Sequence, residues 1–185
     1  MNLLLDKLPT EHKGLKIETN FRSFIMFELL MQDNKVSEQD KIALALNIFY
    51  KEIPKDLKKA IDVILWFYAR GDTGKKSSKK EEKSGKKRIY SYEHDANYIY
   101  SAFWHDYKID LNEIEYLHWW KFKSLFEGLN DENKICEIMG YRAVDLSKIK
   151  DKKQKDKYKK LKSTYALPDE RTEEEKEQDF ADAFW

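Results

Sequence analysis

The sequence predicts a mainly α-helical domain of about six to seven helices in two lobes, with a short N-terminal β-hairpin. Three observations support this fold class. Apolar residues recur at helical spacing over most of the chain, capping residues precede several of these segments, and strand-like alternation is confined to one stretch near the N-terminus. A flexible lysine-rich linker and an acidic C-terminal tail complete the predicted organisation.

The first predicted element is the hairpin. Residues Leu15–Phe21 alternate apolar and polar side chains, the period of a half-buried strand. The segment Leu3–Leu5 precedes the turn at His12–Gly14, and we expect it to be the partner strand. From Phe21 to Met31 the chain becomes almost continuously apolar, which indicates a buried helix.

Two capped helices are predicted next. Ser37 is followed by carboxylates in the first turn and marks a helix start, and Pro54 ends that helix. Its predicted core residues are Ile42, Ala45, Leu46 and Phe49. Asp56 caps the following helix, and Gly71 ends it. The predicted core face of this second helix consists of Leu57, Ala60, Ile61, Ile64, Leu65 and Tyr68.

The second half of the chain also carries helix signals. Residues 90–107 have helical periodicity with Asp95 as a candidate cap. Asp110 and Glu113 have the spacing of a capping box, so we expect a helix from there to Gly128. Asp131 or Asn133 opens another helix, and residues 145–147 introduce a lysine-rich helix whose apolar face is thin.

These elements divide the chain into four predicted segments. Residues 1–70 form the hairpin and first helical lobe, and residues 71–89 form the linker, since glycine, serine, lysine and glutamate bury too little surface to order a chain. Residues 90–166 form the second helical lobe. Residues 167–185 form an acidic tail that ends in an aromatic motif.

Composition narrows the possible environments of the protein. A single cysteine, Cys136, rules out an internal disulfide and suits a reducing compartment, where we expect it to be a buried, unreactive thiol. The apolar run at the N-terminus is too short for a signal peptide, and the chain has no segment that could span a membrane. We therefore expect a cytoplasmic protein without membrane contact.

The residues offer little support for catalysis or cofactor binding. The segment 71–77 superficially resembles a phosphate-binding loop, but both its glycine spacing and its position after a helix are wrong for one. The four histidines are scattered without ligand spacing, and Glu93–Asp95 is more simply explained as a solvated helix start than as a metal site. We predict a non-enzymatic protein without a cofactor or a metal.

Although the net charge is only +1, basic and acidic residues are strongly segregated along the chain. Residues 75–90 carry eight basic against two acidic residues, residues 147–163 nine against two, and residues 169–185 eight acidic against two basic. The basic segments could track nucleic-acid phosphates. A solvated linker and a solvated helix face are the preferred interpretation, because arginines are few and the tail compensates the charge. Nucleic-acid binding remains the alternative.

The aromatic stretch 115–128 contains the first candidate partner-binding residues. At about 100° per residue, most of its apolar side chains share one broad face, while Trp120 falls on the opposite side with Tyr116 one turn earlier. Either the helix is packed on two sides, or Tyr116 and Trp120 form an exposed patch that anchors a partner. The predicted core face comprises Leu111, Ile114, Leu117, His118, Trp119, Phe122, Leu125, Phe126 and Leu129.

The acidic tail contains the second set of candidates. Phe180, Phe184 and Trp185 stand at i, i+4 and i+5, the layout of a short motif that folds as a helix into the groove of a partner. Docking of the tail onto its own domain or onto its own lysine-rich helix explains the same pattern equally well.

Several motifs resemble a bacteriophage family named for gene product fifteen. They are the strand-to-helix junction Leu15–Arg22, the run Tyr100–Trp104, the segment Tyr107–Leu111, the LHWWKF run at Leu117–Phe122 with Leu125–Leu129 after it, and Ile138–Arg142. The resemblance covers most of residues 1–165. The family occurs in long-tailed phages and prophages of Gram-positive bacteria, encoded next to the tape measure protein.

The resemblance implies a role that the residues alone do not reveal. Family members are regarded as tail assembly chaperones, which keep the long helical tape measure chain soluble while tail subunits polymerise round it. We therefore expect the tape measure protein as partner in the host bacterial cytoplasm, with tail-tube proteins and self-association as further options. Incorporation into the finished phage tail is the structural alternative. The family provides no catalytic residues to carry over.

Overall fold

Seven α-helices and one small hairpin make up residues 2–72 and 88–168, the parts of the chain that the computed structural model describes. The hairpin pairs β1 (Glu11–His12) with β2 (Leu15–Lys16) in antiparallel register. The helices are α1 (Phe21–Gln32), α2 (Glu38–Phe49), α3 (Leu57–Tyr68), α4 (Ala96–Tyr107), α5 (Trp119–Glu127), α6 (Lys134–Ala143) and α7 (Lys152–Thr164), with a short 3-10 turn at Leu146–Lys148. The predicted mainly helical fold class is confirmed.

The hairpin is shorter than predicted and uses a different partner strand. Lys13 and Gly14 both have positive φ, 52° and 73°, as a two-residue turn between twisted strands requires. This turn places His12 opposite Leu15, so the partner strand is β1 and the expectation for Leu3–Leu5 was wrong. Leu3–Leu5 instead lies in a turn in which the amide of Asp6 donates to the carbonyl of Asn2 at 2.8 Å.

The caps predicted for α2 and α3 are present. The side chain of Ser37 accepts from the amide of Asp40, and that of Asp56 accepts from the amide of Lys59. Arg70 and Gly71 follow α3 with φ of 57° and 77°, so the chain leaves the helix through left-handed backbone.

The core faces of these two helices differ in part from the prediction. The buried side chains of α3 are Ala60, Val63, Ile64 and Phe67. The predicted core residues Leu57, Leu65 and Tyr68 are 49%, 48% and 38% exposed, and Ile42 on α2 is 47% exposed. Periodicity alone fits either of two overlapping faces of α3, and the packing of α3 against α2 and α5 selects one of them.

The helix predicted from Asp110 begins later, at Trp119. Asp110 does accept from the amides of Asn112 and Glu113, but this cap closes only a turn. Residues 117–119 then run beside residues 19–21: the amide of Phe21 donates to the carbonyl of Leu117, and the amide of Trp119 donates to the carbonyl of Thr19. These tertiary hydrogen bonds keep the backbone extended up to His118, so the predicted start was wrong, whereas the predicted end at Gly128 is confirmed.

Helical segments on both sides of residues 73–87 contribute to one hydrophobic core. α5 lies at its centre and contacts α1, α3 and α4. The fully buried ring of Phe122 stacks on Phe21 and on Phe103, with ring centroids 4.9 and 5.0 Å apart. The predicted linker falls largely outside the described residues, and so does the predicted acidic tail.

Candidate partner-binding surfaces

The aromatic stretch joins the ends of two helices. His118 is the N-cap of α5, and its Nδ1 accepts from the amide of Trp120 at 3.1 Å. The indoles of Trp119 and Trp120 donate to the carbonyls of Tyr68 and Phe67, at 3.2 and 2.7 Å. Because the last carbonyls of a helix have no partner within it, the two tryptophans help to satisfy the C-terminal end of α3. These consecutive tryptophans therefore have a structural role.

Trp120 is buried, with 2% of its surface exposed. Its ring lies 5.4 Å from that of Trp66 and 6.0 Å from that of Phe67, so α5 is packed on both sides. The interpretation with two packed faces is the correct one, and an exposed patch containing Trp120 is wrong. Trp120 does line a small pocket of about 280 Å³ together with Leu3, Ala69, Arg70 and Asp72.

Tyr116 is half exposed, at 51%, and lies before α5 in the extended segment. Its hydroxyl hydrogen-bonds to Oγ1 of Thr19 at 2.7 Å. Arg22 holds the same segment by donating to the carbonyls of Leu111 and Ile114, both at 2.8 Å. Tyr116 stays available to a partner, although it has a structural contact of its own.

α3 carries the clearest exposed apolar surface with helical spacing. Leu57, Ile61, Leu65 and Tyr68 stand at i, i+4, i+8 and i+11, within about 80° of one another at 100° per residue. Three of them are between 38% and 49% exposed, and Ile61 is half-buried between them. This surface, the α3 stripe, runs for about 17 Å at 1.5 Å per residue. Sequence reasoning missed it because it assigned the same residues to the core.

The α3 stripe ends at a cleft of about 600 Å³. Tyr68 belongs to both. The other walls of this basic cleft come from the end of α1, the start of the second described range, α6 and α7. Its charged and polar lining includes Glu28, Gln32, Arg88, Arg142 and Lys162.

The acid Glu28 in the cleft is buried and hydrogen-bonded to Tyr68. Glu28 is 8% exposed, and its Oε1 accepts from the hydroxyl of Tyr68 at 2.9 Å. Burial raises the pKa of Glu28, while the Tyr68 hydroxyl and the nearby Lys123 ammonium oppose this shift. The pKa of Tyr68 is raised too, by its own burial and then by the carboxylate. The Glu28–Tyr68 hydrogen bond therefore lies at the edge of the cleft that adjoins the α3 stripe.

Arg142 organises one wall of the cleft. Its guanidinium pairs with Asp95, and its Nε donates to the carbonyl of Tyr165 at 2.6 Å. Asp95 stands at the predicted cap position of α4 but makes no side-chain cap bond there, because its carboxylate bonds Arg142 and the amide of Ser91. Local sequence signals did not predict this ion pair, because Asp95 and Arg142 are 47 residues apart.

α7 presents lysines to solvent beside this wall. Six of its seven lysines are exposed, and the seventh, Lys162, is half-buried and donates to the carbonyl of Val144 at 2.7 Å. The partly buried side of α7 consists of Tyr158, Leu161, Lys162 and the following Tyr165. The helix is capped by Asp151, later in the chain than predicted, since residues 146–148 form the 3-10 turn.

Other chemistry-bearing residues do not converge. Within residues 2–72 and 88–168, no group of three His, Cys, Asp or Glu side chains could hold a metal ion. Cys136 is half-buried on α6, and burial raises the pKa of its thiol. None of the helices in the described ranges has the length and apolar character needed to cross a bilayer. The predicted partner residues Phe180, Phe184 and Trp185 lie outside the described residues.

The chain matches a known protein family over most of its length. A family model described as Bacteriophage Gp15 protein matches residues 4–167, which includes every helix described above. No curated protein and no solved structure matches the chain.

Proposed function

The chain belongs to the Bacteriophage Gp15 protein family, and from this premise we propose that it is a non-enzymatic tail assembly chaperone. Its proposed partner is the tape measure protein, bound in the host bacterial cytoplasm before the tail is complete. Tail-tube proteins are secondary candidates. The family assignment by itself indicates a phage protein, and the proposal adds a specific role and a partner.

The α3 stripe is the observation that carries this proposal. An amphipathic helix is recognised by apolar side chains at intervals of three and four residues, and the stripe presents such a series over about three turns. A tape measure chain with a long helical repeat would supply the matching face. The basic cleft at one end of the stripe adds charged groups that can orient a bound helix.

Co-expression tests the proposal. The tape measure protein encoded next to this chain is produced alone, with the natural chain, and with Leu65→Ser, and its soluble fraction is measured. We expect the natural chain to raise the soluble fraction and Leu65→Ser to lower it again, because the substitution places a hydroxyl in the middle of the stripe. Tape measure protein that aggregates equally with and without this chain would overturn the proposal.

Leu44→Ser is the matched control. Leu44 is 45% exposed on α2, close to the 48% of Leu65, and it lies outside the stripe. The same substitution there should leave the soluble fraction unchanged. Both variants are compared by thermal unfolding, so that a loss of fold is separated from a loss of binding. Equal effects of the two variants would remove the α3 stripe from the proposal.

Two other functions have their own tests. Incorporation into the finished tail predicts that mass spectrometry detects the chain in purified phage particles. Nucleic-acid binding is favoured by the six exposed lysines of α7. It requires an affinity that falls steeply with salt, as counterion release dictates, and that is lost when the lysines between 148 and 162 are neutralised.

A further inference from the structure

Several lysines of α7 are concentrated on the side of the helix that faces solvent. Tyr158 and Leu161 belong to its partly buried side, and Asp156 is exposed on the opposite side. At 100° per residue, four exposed lysines lie within about 60° of Asp156, each three or four residues from it: Lys152, Lys153, Lys159 and Lys160. Four lysines against one aspartate give this surface, the α7 lysine face, a net charge of +3.

The neighbouring elements do not neutralise the α7 lysine face. Within residues 2–72 and 88–168, none of its four lysines forms an ion pair. The acids next to α7 have contacts of their own: Glu137 on α6 pairs with Lys134, and Asp145 before the 3-10 turn pairs with Lys148. Asp151 caps the start of α7. The positive charge of the face is therefore available to an anionic segment.

Like charges also repel one another along α7. Lys153 and Lys157 stand at i, i+4, and so do Lys155 and Lys159, a spacing at which like charges destabilise a helix. No residue of α7 is fully buried, so its packing against the rest of the chain offsets this repulsion only in part. Carboxylates placed along the α7 lysine face would relieve the repulsion.

The segment 169–185 begins close to this face and carries the opposite charge. Its eight acidic and two basic residues give it a net charge of −6. The amide of Ala166 donates to the carbonyl of Ser163 at 3.3 Å, so the chain turns where α7 ends. Four residues lead from Thr164, the last residue of α7, to Pro168. They span at most about 14 Å, so the acidic segment starts near the end of the helix.

The acidic segment is long enough to run back along the whole of α7. Its 17 residues reach up to about 55 Å when extended, whereas the 13 residues of α7 span about 20 Å. Its acids are distributed over positions 169–182, so carboxylates are available along the full length of the face. Because the connection is short and covalent, the effective concentration is high, and several individually weak ion pairs suffice.

We propose that the acidic segment 169–185 docks in cis along the α7 lysine face. The inference does not rest on the proposed function. Among the interpretations of the tail, it selects docking onto the chain's own lysine-rich helix and identifies the side of that helix which receives it. Docking there covers lysines on which nucleic-acid binding would depend.

A spin label in the full-length chain tests the docking. Gln178→Cys in a Cys136→Ser background introduces one thiol without changing any charge, and a nitroxide attached there broadens backbone amide signals near it. We expect broadening along residues 152–160, relative to the same chain with a diamagnetic label. Absence of broadening there, or stronger broadening along residues 57–65 of the α3 stripe, would overturn the proposal.

A double charge reversal on the α7 lysine face is compared with the same change elsewhere. Lys153→Glu with Lys160→Glu alters the face, whereas Lys51→Glu with Lys58→Glu makes the same change in net charge at two exposed lysines outside α7. We expect the first pair to abolish the broadening and the second pair to leave it in place. Equal losses would mean that the segment responds to the total charge of the chain. That result, or broadening that survives the first pair, would overturn docking on the face.

Salt and isotope mixing keep the proposal testable if the double variant of α7 does not fold. Raising salt from 0.1 to 1 M shortens the Debye length from about 10 Å to about 3 Å, so the broadening should be lost in the labelled chain whose lysines are unchanged. In a second sample, ¹⁵N chain without a spin label is mixed with spin-labelled chain of natural isotope composition, and we expect no broadening. Broadening that persists at 1 M salt, or that appears in the mixture, would contradict electrostatic docking in cis.

Discussion

The guanidinium of Arg142 forms a two-point ion pair with the carboxylate of Asp95, with N–O distances of 2.5 and 3.0 Å. Both side chains are buried, at 8% and 2% exposure. The pair links α6 to the start of α4, and the further bonds of Arg142 to the carbonyls of Tyr165 and Ile89 bring in the end of α7 and the start of the second described range. One side chain thus connects four separate parts of the chain.

Removing Arg142 should be strongly destabilising. Arg142→Met leaves the carboxylate of Asp95 buried without its partner, and we expect the free energy of unfolding to fall by about 3–5 kcal/mol. Urea denaturation measures this loss. Arg142→Met combined with Asp95→Asn removes the buried charge and should restore part of the stability. A double variant as unstable as the sum of the single ones would contradict the buried charge as the cause.

Trp120 should contribute stability through its indole N–H as well as its ring. Trp120→Phe keeps an aromatic side chain but removes the 2.7 Å bond to the carbonyl of Phe67, and we expect a loss of about 1–2 kcal/mol in urea unfolding. The same substitution at Trp104, which is 49% exposed on α4, should cost much less. Equal costs at the two sites would argue against capping of α3 by Trp120.

His118 should make stability depend on pH. Its Nε2 lies 2.9 Å from the carbonyl of Pro9, which can only accept, so Nε2 carries the hydrogen and Nδ1 is the free acceptor that caps α5. Burial lowers the pKa of His118, the bond to Pro9 opposes the shift, and Lys121 adds to it. As pH falls, His118 is therefore protonated at a higher pH in the unfolded chain than in the folded one. Stability should be complete above the usual histidine pKa of about 6.5 and decrease below it.

His118→Asn tests this pH dependence, because an asparagine oxygen also caps a helix and does not titrate in this range. Urea unfolding is measured at pH values on both sides of the histidine pKa. The substitution should flatten the dependence. His12 stacks on Trp66, and burial lowers the pKa of His12 as well, so His12→Gln gives the separate contribution of His12. An unchanged slope in His118→Asn would disprove the role of His118.

Two glycines should respond in opposite ways to alanine. Gly71 has a φ of 77°, and a Cβ there would lie 3.2 Å from Cζ2 of Trp66 and 3.3 Å from Cη2 of Trp120, so Gly71→Ala should cost more than about 1 kcal/mol. Gly140 lies on the exposed side of α6 with no atom within 4 Å of its would-be Cβ. Gly140→Ala should raise stability by about 0.5–1 kcal/mol, since alanine favours the helix. Thermal unfolding of the two variants decides whether this contrast holds.

Local sequence signals determined most of the secondary structure. Ser37 and Asp56 cap helices where predicted, because a side-chain oxygen beside a free amide needs no tertiary partner. Gly71 follows α3 where predicted for a related reason, because its φ of 77° is a left-handed conformation that glycine adopts easily. Gly128 is the C-cap of α5, as predicted. The family resemblance of the LHWWKF run is likewise carried by residues adjacent in sequence, and the family match agrees with it.

Tertiary contacts decided what the local signals could not. Asp110 has a capping pattern, yet hydrogen bonds from residues 19–21 and the guanidinium of Arg22 hold the following chain extended up to His118. Trp120 is buried against the end of α3, where its indole donates to the carbonyl of Phe67. These two residues are 53 positions apart, so no local pattern predicts their contact. The α3 stripe and the basic cleft exist for the same reason: helix packing determines which of two apolar faces is covered, and only the folded chain brings Glu28, Arg142 and Lys162 together.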